Sequence, residues 1–325
     1  MQQGNPTSLR VPDPGVADLL AQDARWQAWL DVEAALAKAE AELQMIPGPA
    51  AEEIVRKCDL SLFDRARLTE GFQRTGHSLV PLIWELSRLC DGDAGNYVHW
   101  GATTQNITQT GDLLQLRKVH RVFLRQIGAI LAALADLAER SKDMALPGRT
   151  HGQHAVPATY GLKAAVWIDE FARNVERLEQ SEPRVFQAML GGAAGTVASF
   201  GDRGLEVQAR MAAHLEMPPM AVPARNIMDH LAEHIMALAL LAASCGKFAN
   251  EIYTGMKQEF GEVEEPFTAG TVGSSTMPQK RNPFISQDIM AYTAQIRTMV
   301  PLALEAVMTE HEANRQTSLM MRQAQ

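Results

Sequence analysis

Apolar residues along this chain recur mostly at intervals of three and four, while alternating strand-like runs are nearly absent. That pattern predicts an all-α protein. From Ala21 to Leu43 the residues are mainly Ala, Leu, Glu and Lys, and Ile46-Pro47-Gly48-Pro49 predicts the stop. Shorter helical pieces follow through Leu89, and Asp91 to Gly101 reads as a loop. Leu116, Val119, Phe123, Ile127, Ile130, Leu134 and Leu137 then fall 3, 4, 4, 3, 4 and 3 residues apart. This is the seam of a long helix packed nearly parallel to its neighbours, expected to end at Pro147-Gly148. A second long helix is expected from Tyr160 to about Glu182, stopped by Pro183. A glycine-rich connector, Gly191 to Gly204, leads to a third from Ile227 to Lys257, and a fourth starts near Ile285 with a kink at Pro301. Rods of this length cannot fill a compact sphere. The expected architecture is an elongated bundle of long helices over residues 111–325, preceded by a smaller N-terminal helical domain over 1–110, with apolar stripes continuing into partner subunits.

Composition narrows the function classes. The 325 residues include 30 Lys and Arg against 38 Asp and Glu, a net charge of −8, which disfavours binding to nucleic acid because phosphate neutralisation needs clustered cations. The three cysteines, Cys58, Cys90 and Cys245, are scattered, as expected of a reducing compartment. The first fifteen residues are polar and proline-rich with no apolar leader core, and the longest apolar run, Ile235 to Gly246, is about half of a membrane span and reads as a buried helix. The expectation is a cytoplasmic protein that binds neither membrane nor nucleic acid.

Candidate chemistry concentrates between the third and fourth helices. Gly261, Gly270 and Gly273 permit hinge motion, Ser274-Ser275 supply hydroxyls, and Lys280, Arg281 and Asn282 bring cations and an amide to a helix start, where backbone N–H groups favour an anion. The string Gly273 to Pro283, G-S-S-T-M-P-Q-K-R-N-P, resembles the signature of the fumarase/aspartase superfamily, which includes adenylosuccinate lyase, argininosuccinate lyase and 3-carboxy-cis,cis-muconate cycloisomerase. Val98-His99-Trp100-Gly101-Ala102-Thr103-Thr104 and Arg149-Thr150-His151-Gly152-Gln153 look like two further conserved regions, and Gln22 to Pro47 is similar to the muconate cycloisomerase and adenylosuccinate lyase branch.

The resemblance implies a helical-bundle enzyme, usually a homotetramer whose active sites combine regions of three subunits, acting on a small dicarboxylate with no cofactor and no metal. It implies Ser274 as catalytic base and His151 as general acid. Lys280, Asn282, Ser275, Thr103, Thr104 and Thr150 would hold substrate carboxylates, with His99, Gln153 and His77 lining the pocket. These residue types suit the reaction. Removing a proton beside a carboxylate loads charge onto its oxygens, so donors and cations must be aimed there. A histidine, with an ordinary pKa near 6.5, is a reasonable acid. Two reactions remain open: elimination of an amine or oxygen group beta to a carboxylate, or an isomerisation (cycloisomerase or epimerase) by proton transfer. A structural homologue with lapsed catalysis is the third reading.

Several positions depart from the family. Asn106, Gln109 and Gln287 stand where acids are usual, with Asp288 beside the last. Relatives usually place a tryptophan at His151 when they are muconate cycloisomerases, and His311-Glu312-Ala313-Asn314-Arg315 lacks the arginine and serines that grip a nucleotide phosphate. The chain reaches Gln325 within the expected fourth helix, without the family's C-terminal domain. Other motifs read as architecture. His151/His154 and His230/His234 have metal-pair spacing, but the first pair falls in the region that resembles an acid–base motif, and the second lacks a third ligand nearby and reads as a polar helix face. Gly191 to Gly195 reads as a close backbone approach, the sixteen methionines as core filler, Trp26, Trp29, Trp84 and Trp167 as packing residues, and His120 and His214 as surface histidines without partners.

Overall fold

Helix α1 (Gln22–Glu42) begins where the alanine- and leucine-rich run begins and buries Trp29, Leu30, Val32 and Leu36 almost completely. Pro47 precedes α2 (Gly48–Lys57), Asp64 caps α3 (Arg65–Thr75) by accepting from the N–H groups of Ala66 and Arg67, and α4 (Val80–Leu89) completes a small helical layer on α1. The computed structural model describes residues 11–267, 270 and 272–325, so most of the polar N-terminal stretch expected to carry no apolar leader core, residues 1–10, lies outside the described residues.

The bundle is formed by α5 (Thr104–Arg140), α6 (Tyr160–Val185), α8 (Asp229–Gly255) and α9 (Phe284–Val307), with a shorter α7 (Gly204–His214) against α1 and α10 (Arg315–Ala324) against α9. One apolar core joins α1 to α4 with the start of α5, the end of α6, α7 and the end of α9. A second lies midway along α5, α6 and α8, around Ile127, Leu134, Trp167, Phe171 and Leu178.

Three expectations need correction here. The long helix α5 stops at Arg140, before Pro147, because the N–H groups of Tyr160 and Gly161 bond back to the carbonyls of Met144 and Ser141. This close approach requires Gly161, whose Cβ would sit 2.7 Å from the Ala138 carbonyl. The chain then forms an antiparallel hairpin, β1 (Ala145–Thr150) and β2 (Gln153–Thr159), with a register irregularity between Gly148 and Arg149. Prolines are tolerated in it because each strand has a free edge. The fourth long helix ends at Val307, and α10 is a separate helix capped by Asn314, whose side chain accepts from the Thr317 N–H at 3.0 Å.

The third correction concerns polar groups and faces. Among the histidines, His120 is fully buried, with its Nε2 3.0 Å from Glu182, while His230 and His234 are buried rather than lining a polar face. The His120, His234 and Phe186 rings lie 5.1 to 5.4 Å apart. His214 is exposed as expected, but bonds Glu42 at 2.8 Å. Trp84 is half exposed, with the Arg74 guanidinium over its ring, while Trp29 and Trp167 are buried. Only 28% of the most apolar stretch of α8 is buried by this chain, and Met236 and Leu240 are exposed on it.

The buried imidazoles fix a pH dependence. Burial, and then the neighbouring His120, push His234 down to about 4 from an ordinary 6.5. Between those values the unfolded chain binds a proton that the folded chain refuses, so stability falls as pH drops. From this group alone the loss is about 2 kcal/mol between pH 7.5 and 5. His234→Phe, measured by urea unfolding at both pH values, is expected to flatten the acid limb, and an unchanged slope would assign it to other groups.

Candidate active site

Most of the residues singled out by sequence fall into three places. The first is a cavity of about 400 Å³ at the N-terminal end of α5, lined by His77, Thr104 and Gln109 together with Arg25, Asp112, Arg225 and Arg315. The local fold explains the cluster. The α5 N-terminus is fixed by Asn106, whose Oδ1 accepts from the Thr103 N–H at 3.0 Å and from the Gly192 N–H at 3.1 Å. Asn106 is fully buried and outside the cavity lining, so its amide serves to tie the glycine-rich connector to α5. His77 Nδ1 accepts from the N–H groups of Leu79 and Val80 at 3.1 and 3.3 Å, which closes the turn into α4 and fixes its ring at the cavity wall.

The connector does approach other backbone closely. A Cβ at Gly191 would lie 2.9 Å from Pro223, and one at Gly195, whose φ is +78°, 2.7 Å from the Pro223 carbonyl. This brings the Ala193 carbonyl to Arg225 Nη1 at 2.7 Å. Arg225 Nε also donates to Gln105 Oε1 at 3.0 Å. Arg25 is paired with Asp112 through Nε and Nη2 at 2.8 and 2.5 Å, and Asp112 additionally accepts from Trp29 Nε1 at 2.9 Å.

The second place is the hairpin tip. Thr150, His151 and Gln153 are all exposed, and His151 (φ +53°) and Gly152 (φ +77°) turn the chain in the left-handed region. The hairpin stem is held by Arg149, which donates to Glu262 at 2.5 Å and lies over the Phe260 ring.

The third place is the loop ahead of α9. Ser274 is half-buried, and its Oγ accepts from the Met277 N–H at 3.2 Å. Asn282 Nδ2 donates to the Gly273 carbonyl at 2.8 Å, which closes the loop on itself. Glu265 accepts from the Ile285 and Ser286 N–H groups at 3.2 and 2.7 Å and so supplies the carboxylate at the α9 N-terminus. Ser275 and Lys280 are exposed, as is Gln287, while Asp288 is half-buried.

His99 belongs to none of the three. Its Nδ1 lies 2.6 Å from the buried Glu33. Burial opposes a charge on this imidazole, but Glu33 outweighs it and holds the His99 pKa above the ordinary value. With a φ of +63°, His99 anchors the turn that leads to Thr103. Within one chain, then, the structure brings His77 and Thr104 into one cavity and leaves His151 at the hairpin tip and Ser274 in the loop ahead of α9, with no hydrogen bond between them among the described residues. Arg225, Gln105 and the Arg25–Asp112 pair were not singled out by sequence. The only advance signal was the Gly191 to Gly195 run, which demands a close backbone neighbour.

Residues 10–297 match a family described as Lyase. An N-acetyl-S-(2-succino)cysteine lyase of Enterococcus italicus is 41% identical over 290 residues, covering 89% of this chain and 64% of that protein. An adenylosuccinate lyase of Methanothermobacter thermautotrophicus is 40% identical over 310 residues, covering 95% and 69%. Among solved structures, the 3-carboxy-cis,cis-muconate lactonizing enzyme of Pseudomonas putida superposes with a TM-score of 0.89 at 32% identity, covering 96% of this chain and 70% of that one. The chain spans about two thirds of the length of the curated relatives it matches.

Proposed function

Because the chain belongs to the fumarase/aspartase superfamily of lyases, we propose that it eliminates a leaving group beta to a carboxylate of a succinate-like or amino-dicarboxylate substrate. Ser274 Oγ takes the proton from the carbon next to a carboxylate, and the electron pair passes into that carboxylate. Lys280, Asn282, Ser275 and the hydroxyls of Thr103, Thr104 and Thr150 hold the charge that develops. The pair then returns to form the double bond and expels the amine, oxygen or sulfur group from the adjacent carbon, and His151 protonates it. His77, His99 and Gln153 complete the walls.

The observation that carries this reading is the presentation of the groups. His151 at the exposed hairpin tip and Ser274 in its loop both lie outside the lining of the cavity that holds His77 and Thr104, on a bundle that leaves Leu162, Val166, Met236, Leu240 and Ile296 exposed. An apolar face of this kind supports packing against copies of the same chain, which we take to be a homotetramer that completes each site from several subunits. The unpaired cysteines, Cys58, Cys90 and Cys245, support a cytoplasmic setting.

The test is release of fumarate, followed near 240 nm, from a panel of succinylated amines and thiols that includes N-acetyl-S-(2-succino)cysteine and adenylosuccinate. Turnover of at least one member is expected, and silence across the panel in an oligomeric sample rejects the elimination. One observation favours a second reading. Gln109, an amide, lines the cavity where an acid is usual, which suits an isomerase that only moves a proton. Solvent deuterium entering recovered substrate with no unsaturated product would favour that reading.

A further inference from the structure

Resting on the elimination proposed above, we propose that the leaving-group end of the substrate carries its own carboxylate and that Arg225 reads it. The cavity at the α5 N-terminus has an unbalanced charge. Its one carboxylate side chain, Asp112, is committed to Arg25 by two hydrogen bonds of 2.8 and 2.5 Å, while Arg225, Arg315 and Arg322 also line it. Arg225 is held by neutral partners only, the Gln105 amide oxygen at 3.0 Å and the Ala193 carbonyl at 2.7 Å. Both fix the plane of the guanidinium without cancelling its charge, and Nη2 makes no hydrogen bond among the described residues.

A neighbouring donor is equally uncommitted. Gln105 Nε2 donates to Gln109 Oε1 at 3.2 Å and to the Arg225 carbonyl at 2.9 Å, which orients the Gln109 amide with its oxygen toward Gln105. Gln109 Nε2 is left buried and without a partner. A buried unpaired N–H is costly unless something accepts from it. Arg225 and Gln109 both line this cavity, and a fixed cation on a wall that also carries an unpaired amide suits a carboxylate. The reacting succinyl end does not need this pair, since its charge is met by the hydroxyls, amide and lysine named above. Arg225 therefore acts as a specificity residue for the part of the substrate that leaves.

The test compares two succinyl thioethers that differ only in this group, N-acetyl-S-(2-succino)cysteine and the analogue in which N-acetylcysteamine replaces N-acetylcysteine. The wild-type chain is expected to favour the carboxylate-bearing thioether in kcat/KM by about ten- to a hundredfold. Arg225→Met is expected to erase that preference, mainly through KM and for that substrate alone, and Arg225→Lys to retain part of it. A ratio taken within each variant cannot be mimicked by general loss of folded protein. Equal kcat/KM for both thioethers in the wild-type chain, or a preference that survives Arg225→Met, overturns the assignment. If neither thioether releases fumarate, the elimination fails on its own account and the assignment is read from thermal unfolding. A Tm raised by the carboxylate-bearing thioether alone, and no longer raised in Arg225→Met, upholds it, whereas equal or absent shifts reject it.

Discussion

Ser274→Ala is expected to lower kcat by about 10²- to 10⁴-fold while leaving KM within a few-fold, because it removes a group that acts on the transferring proton and leaves the carboxylate holders in place. The variant should fold, since the side chain only accepts from the loop N–H groups of Thr276 and Met277 at 3.4 and 3.2 Å. His151→Ala should cost as much for amine leaving groups, which cannot depart without a proton, and distinctly less for thiols, which leave as thiolates. A uniform loss across both classes would remove His151 from the acid role. The two variants also test the quaternary proposal. His151 and Ser274 sit on different segments of the chain, the hairpin tip and the loop ahead of α9, so mixing the inactive variants after dissociation and reassembly should restore part of the activity by building some sites with both native groups. Mixed samples as inactive as their parents would argue that each site is built from one chain.

Much of this arrangement was legible because the helices are long and their seams regular. Val119, Ile127 and Leu134 were expected inside and are buried, and the glycine-rich connector was expected to approach other backbone closely and does so at Pro223. The hairpin was missed because its strands carry no one-sided apolar pattern. Val156 is two-thirds exposed, and pairing of the two strands, rather than burial, gives the segment its shape. The histidines were misread because burial on a helix depends on which neighbour covers the residue. His120 is covered by Phe186 and His234, which are distant in sequence. Arg225 was illegible for a related reason, since both of its partners, Gln105 and Ala193, reach it only through the connector contact. The amides that stood in for family acids turn out to differ in role. Asn106 is buried architecture, whereas Gln109 lines the cavity, so a sequence departure of one kind covers two physical situations.

The largest effect on stability is expected at a residue outside the candidate site. Glu40 on α1 is buried, and neither of its carboxylate oxygens has a hydrogen-bond partner. Burial, and then the negative charge of Glu33 two turns earlier on the same face, push its pKa up to about 9 from 4.5. Glu33 holds His99 at 2.6 Å, and its charge makes a second carboxylate nearby unfavourable. Folded Glu40 therefore keeps a proton that the unfolded chain releases above pH 4.5. Its contribution is fully present below that value and is lost as pH rises toward 9, a cost on the order of 3 kcal/mol at pH 7. Glu40→Gln preserves the shape and removes the titration. Its unfolding free energy in urea should match the wild-type chain near pH 5 and exceed it by a few kcal/mol at pH 8, raising Tm accordingly. The opposite limb belongs to His234, so the wild-type chain should be most stable between the two, and Glu40→Gln should move that optimum upward in pH. A variant no more stable than wild type at pH 8 would mean that Glu40 is ionised and paired within the fold.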